Sequence, residues 1–208
     1  MSFWDLIFTL VILGVILLLL FIPMGTEGGI LNRKQNSRRA KDLEGAKASA
    51  APLAAAKRFA MLHQYEIVSP GNVVSGDKES GADFLLVGCF GVLCVKCVGL
   101  GGTIYGGAGE AEWTRMDASG RTTFPNPLDE ASAATRVVRD VLFAAKRKNV
   151  PVETVCVFTN PKAELALPRG TGHYTLKEFK ALLQKDKFLY DKGVDEKAVA
   201  QLLREAVR

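Results

Sequence analysis

Lys96 is the residue whose type fits its surroundings least. It stands inside Val92-Leu-Cys-Val-Lys-Cys-Val98, an otherwise apolar run. A lone buried ammonium is costly, so it needs an acceptor or a route to solvent. Two readings stay open: a lysine snorkelling at a strand end, or a lysine facing a polar cleft. Asp83, at the head of the neighbouring apolar run, is the expected partner across a hairpin. The same run holds Cys94-Val-Lys-Cys97, a Cys-x-x-Cys spacing. In a strand, residues three apart point to opposite faces, so these thiols do not converge on one metal and read as buried, inert cysteines. The two histidines, His63 and His173, have neither a helical His-x-x-x-His spacing nor a nearby Cys pair. That excludes a zinc-protease pattern and gives a Ser-His-Asp triad little support. Gly99–Gly109 is glycine-rich but lacks the Gly-x-x-x-x-Gly-Lys-Ser/Thr of a phosphate cradle, and reads as turns or bulges.

The elements that must position these groups follow from the pattern around them. Asp83–Val87 and Val92–Val98 are apolar strands joined by Gly88-Cys-Phe-Gly91, a hairpin; apolar on both faces, they should be central and covered. Residues 48–62 are Ala-rich and read as a helix with Pro52 in its first turn. Tyr65–Val68 is a short strand, and Pro70–Gly81 a polar loop. Glu112–Met116 and Arg121–Phe124 flank Asp-Ala-Ser-Gly, a second hairpin signal. Asn126-Pro-Leu-Asp129 opens a helix: Asn caps, Pro fits the first position, and Asp faces the dipole. Lys146, Arg147 and Lys148 close that helix favourably. Val152–Phe158 is a strand ended by Asn160-Pro161. Thr175-Leu-Lys-Glu178 is a capping box, and Asp195 opens a last helix. The order of helices and strands predicts an α/β domain with a mixed sheet.

The chain has 208 residues, 48% of them hydrophobic, with a net charge of +5 and four cysteines. Disordered, collagen-like and disulfide-rich classes are excluded. Much of the hydrophobicity lies at the start. Leu6–Ile22 is a 17-residue run interrupted by Thr9 and Gly14 alone, with Trp4 before it. A helix of that length approaches the hydrocarbon thickness of a bilayer, and Trp4 suits its interface. A cleaved signal peptide fits less well, since no basic residue precedes the run. Residues 33–58 carry eight basic and two acidic side chains. That asymmetry predicts an N-terminus outside and the remaining chain in the cytoplasm, with Arg33–Lys41 near anionic lipid. Nucleic-acid attraction is the alternative use of the same charge. The expected organisation is a transmembrane helix over 3–24, a basic linker over 25–47, an α/β domain over 48–167 and a helical appendage over 168–208.

Several blocks, taken in order, resemble one family. Asp83-Phe-Leu-Leu-Val-Gly, Gly91-Val-Leu-Cys-Val, Gly102-Thr-Ile-Tyr-Gly, Trp113, Asn126-Pro-Leu and Val155-Cys-Val-Phe are similar to the nuclease-related domain, called NERD. The resemblance implies a PD-(D/E)XK, restriction-endonuclease-like fold: a mixed central sheet flanked by helices. The family pattern runs Asp, Gly eight residues on, Glu-x-Lys five residues later, then Asn-Pro-Leu-x-Gln. Asp83 and Gly91 fit; Lys96 takes the Glu position, Val98 the Lys position and Glu130 the Gln position. Such nucleases are expected to hold Mg²⁺ with at least two carboxylates. A lysine in one of those places implies a degenerate site at Asp83, Lys96 and Glu130, with no cofactor and binding to nucleic acid or protein in place of cleavage. The alternatives are an active endonuclease in which Glu110, Glu112 or Glu130 supplies a displaced carboxylate, or a structural membrane-associated module.

Overall fold

The two apolar runs around Lys96 pair as predicted and lie inside the main sheet. The computed structural model describes residues 42–44, 46–168 and 170–208. The expected transmembrane helix over 3–24, and residues 25–41 and 45 of the basic linker, lie outside the described residues. Among the described residues, no helix is long and apolar enough to cross a membrane.

Eleven strands are described: β1 (Glu66–Val68), β2 (Val74–Ser75), β3 (Lys78–Glu79), β4 (Phe84–Gly88), β5 (Gly91–Val98), β6 (Gly102–Tyr105), β7 (Glu112–Asp117), β8 (Gly120–Pro125), β9 (Val152–Phe158), β10 (Ala163–Ala166) and β11 (His173–Thr175). The helices are α1 (Ala46–His63), α2 (Pro127–Ala144), α3 (Leu176–Leu183) and α4 (Glu196–Glu205). The main sheet has the order β1-β4-β5-β9-β11. It is mixed: β4 runs antiparallel to β1 and β5, while β5, β9 and β11 are mutually parallel. A second sheet has the order β10-β6-β7-β8.

Both faces of β4 and β5 are covered, and alternation decides what covers them. Leu93, Val95 and Cys97 point to a core shared with Phe59 of α1 and Phe179, Leu182 and Leu183 of α3. Val92 and Cys94 point the other way, against Val137, Val138 and Leu142 of α2 and Val199 and Leu203 of α4. The Cys-x-x-Cys thiols are therefore on opposite faces. Further along β9, Cys156 and Phe158 pack against Ile104 and Trp113 of the second sheet. The chain is thus an α/β protein whose sheets are flanked by helices.

Several local expectations need correction. Residues 70–81, read as a loop, contain the β2–β3 ribbon, with Val74 paired to Glu79. Residues 99–109, read as turns or bulges, contain β6, which pairs on both edges. Neither stretch has an alternating apolar pattern; cross-strand pairing makes them strands. Pro52 lies inside α1 and not in its first turn, because the helix begins at Ala46. Pro52 and Ala48 are both buried there, so packing offsets the hydrogen bond that proline cannot donate. The segment 168–208, expected to be helical, also supplies β11 to the main sheet.

At its start the described chain is tied to the domain. Leu43 N–H donates to Gly99 O at 3.0 Å. Asp42 accepts from Gly101 N–H at 3.2 Å and pairs with Arg115 at 2.5 Å. A Cβ on Gly99 would lie 1.8 Å from Leu43 O, so only glycine permits this approach.

Candidate functional site

Lys96 occupies the α2 face of β5, two residues beyond Cys94, where the helix begins and the second sheet takes over. Asn126 builds that junction. It is buried, its side chain accepts from Leu128 N–H at 2.9 Å, and its amide donates to Glu110 O at 2.8 Å. The cap fixes the first turn of α2 and brings Glu130 over the sheet. Glu130 Oε2 lies 2.9 Å from Lys96 Nζ. The ammonium also donates to Gly81 O at 3.1 Å.

Asp83 precedes β4 by one residue. Its N–H donates to Val95 O, so it continues the ladder past Phe84↔Val95 to stand across from Lys96. Its carboxylate is directed elsewhere: Oδ2 accepts from Cys97 N–H at 2.7 Å. The expected Asp83–Lys96 ion pair is corrected to Glu130–Lys96. The register is the expected one, but the nearby backbone N–H takes the short aspartate, while the longer lysine reaches the helix.

The three groups nonetheless share one field. Burial raises the Asp83 carboxyl above its ordinary range and the Glu130 charge adds to this, against the opposing pull of the Cys97 N–H and Lys96. Burial alone would lower the Lys96 ammonium, but the hydrogen bond and charge of Glu130, then Asp83, outweigh it and leave it raised. The Lys96 side chain is 26% exposed and that of Glu130 is 51% exposed, so the ion pair adds no more than about 1 kcal/mol to stability. Cys156, opposite Lys96 on β9, is fully buried, and burial pushes its thiol up. Burial likewise raises Cys97, and takes Cys94 to about 12. None of the three is a ready thiolate at neutral pH.

A pH effect follows with a definite sign. An acid raised in the folded state contributes stability that is full below its unfolded value, near 3.8, and lost as pH rises through the folded value. Asp83→Asn removes this loss and keeps an acceptor for Cys97 N–H. The variant is expected to melt above the parent at pH 7, and the gap is expected to close as pH falls toward 4. Lower stability of the variant at pH 7 would contradict this reading of the carboxylate.

Of the sequence-derived residues, Asp83, Lys96 and Glu130 are brought together. Glu112 is exposed on β7 opposite Pro125, and Glu110 meets the α2 cap through its backbone carbonyl. His63 packs on Phe59 at 4.5 Å. His173 bonds Thr171 at 2.6 Å and meets the edge of Trp113. Among the described residues, no three His, Cys, Asp or Glu groups form a cluster able to hold a metal ion. The sequence reading does not identify the Gly81 carbonyl as a lysine acceptor; its only signal there is a glycine two residues before Asp83, which the structure places in the left-handed region at φ +62°.

A family model described as NERD, nuclease-related domain, matches residues 41–159, more than half of the chain. The match spans all three residues of the cluster. No curated protein and no solved structure matches the chain.

Proposed function

The chain belongs to the nuclease-related domain family, and we propose that it acts by binding nucleic acid without cutting it. The family supports a nucleic-acid ligand, and one observation carries the loss of cutting: Lys96 Nζ lies 2.9 Å from Glu130 Oε2 at the family's acidic position. The Mg²⁺ that nuclease clefts of this type use does not fit that donor set. Asp83 is engaged by Cys97 N–H and Glu130 by an ammonium. At ~4 Å and an effective dielectric of ~20, each unit-charge pair is worth roughly 4 kcal/mol, and a divalent ion beside Lys96 meets that as repulsion. Val98, at the position of the family's reacting lysine, pairs with Phe158, packs against the apolar cluster that holds Trp113 and brings no charge.

In this reading the fold is the restriction-endonuclease type, with its catalytic positions converted to a structural ion pair. Residues 3–24 anchor the chain in a membrane, and Arg33–Lys41 lie on the cytoplasmic side against anionic lipid. The length of the apolar run and the one-sided distribution of basic residues support both statements.

The test is a cleavage assay on supercoiled DNA with Mg²⁺ and with Mn²⁺. No nicking above that of Asp83→Ala is expected. Nicking by the parent protein that disappears in Asp83→Ala would establish the active endonuclease instead.

A further inference from the structure

The cleft is a weak place to hold a phosphate, since two carboxylates surround its single ammonium. The other end of the sheet is different. Where α2 turns into β9, Lys146, Arg147 and Lys148 face the loop before α4, which carries Lys192. Together they border a recess of about 360 Å³ floored by Val194 and Val199. Among the described residues, none of these four cations enters an ion pair. The one carboxylate on the recess, Asp195, already accepts from Ala198 N–H at 3.0 Å as a helix cap.

The recess is built on fixed backbone. Lys146 N–H donates to Phe143 O and Arg147 N–H to Leu142 O, the paired bonds that close a helix C-terminus. Lys192 N–H donates to Cys89 O at 2.9 Å, which ties the second loop to the β4–β5 turn. Lys146 has φ +60°, the left-handed conformation usually taken by glycine at this place in the motif. Complementing the α2 dipole accounts for basic residues after the helix. It accounts neither for a lysine on a second loop nor for a side chain kept where glycine relieves strain. Phe143, on the last turn of α2, is 61% exposed and reaches the recess through Lys148, whose Nζ lies 4.4 Å from its ring centre. An exposed ring beside unpaired cations matches single-stranded nucleic acid, whose bases stack while its phosphates seek positive charge.

We infer that Lys146, Arg147, Lys148 and Lys192 form a phosphate site for single-stranded nucleic acid, with Phe143 as its stacking face, remote from the cleft. The inference rests on the binding function proposed above and gives it a location. The test is fluorescence anisotropy of a labelled twelve-residue thymidine oligonucleotide with the full chain in detergent, across a salt series. Each phosphate contact on a single strand adds about −0.7 to the slope of log K against log salt. The triple variant Lys146→Gly, Arg147→Gln, Lys148→Gln is expected to bind at least tenfold more weakly, with a slope flatter by about 2. Lys146→Gly alone is expected to melt roughly 1–3 °C higher yet bind less tightly, which separates lost binding from lost folding. Parent-like affinity and slope in the triple variant would overturn this site and leave the proposed function standing. No oligonucleotide binding by the parent chain would overturn both. A variant that keeps the oligonucleotide but releases phosphatidylserine vesicles would overturn this site in favour of a lipid contact.

Discussion

Lys96→Glu should turn a protein whose stability ignores divalent metal into one that depends on it. The substitution places a third carboxylate beside Asp83 and Glu130, which already share a field with residue 96. Each like-charge pair at ~4 Å opposes folding by up to roughly 4 kcal/mol before screening. In chelator the variant is expected to lose about 2–4 kcal/mol. Added Mg²⁺ at a hundred times its dissociation constant restores about 2.7 kcal/mol by mass action. Thermal melts should show that recovery as a rise of roughly 5–10 °C for a domain of this size. The parent protein should not respond. Lys96→Met supplies the control: it removes the ammonium without adding an acid, and should stay within about 1 kcal/mol of the parent because the ion pair is half exposed. A well-folded Lys96→Glu protein with no metal-dependent shift would mean that residue 96 does not occupy an inherited metal seat.

Trp113→Ala is expected to have the largest effect on stability, about 3–5 kcal/mol. Trp113 is 1% exposed and lies near-parallel to Phe158 with ring centres 6.3 Å apart. It meets Phe124 edge-on, and its indole N–H donates to Gly107 O at 3.0 Å. A Cβ on Gly106 would lie 2.4 Å from the indole ring, so the chain fits closely around it. This residue pins the second sheet to the main one, next to the end of β5 that carries Lys96. Urea melts should record the loss, and hydrogen exchange should show β6–β8 opening before β4, β5 and β9. Loss spread evenly over both sheets would contradict the pinning role.

The strands and helices with an unambiguous pattern were legible in the sequence: the β4–β5 and β7–β8 hairpins, the Asn126 cap, the Thr175 capping box and the Asp195 helix start. Each depends on neighbours in sequence. What was not legible depends on distant partners. β6 is a strand because β7 and β10 flank it, and the β2–β3 ribbon consists of two short rungs with half-buried or exposed residues. At the site, Asp83, Lys96 and Glu130 were identified, but the pairing among them was not. Hairpin register places Asp83 across from Lys96, and no local rule says that a helix turn 34 positions further on supplies the acceptor. The basic recess was half visible: Lys146–Lys148 is a run in sequence, while Lys192 joins it through the fold alone.

Whether the cleft of the parent protein takes a divalent ion is reported directly by the Cys97 amide. Its N–H donates to Asp83 Oδ2 at 2.7 Å, so an ion bound by Asp83 would lie within a few ångströms of it. The measurement is the amide NMR spectrum of the parent protein titrated with paramagnetic Mn²⁺. The Cys97 resonance is predicted to stay as sharp as those of the distant core at stoichiometric metal. Selective broadening of that resonance, abolished in Asp83→Ala, would contradict the claim that Lys96 and Glu130 have replaced the metal site.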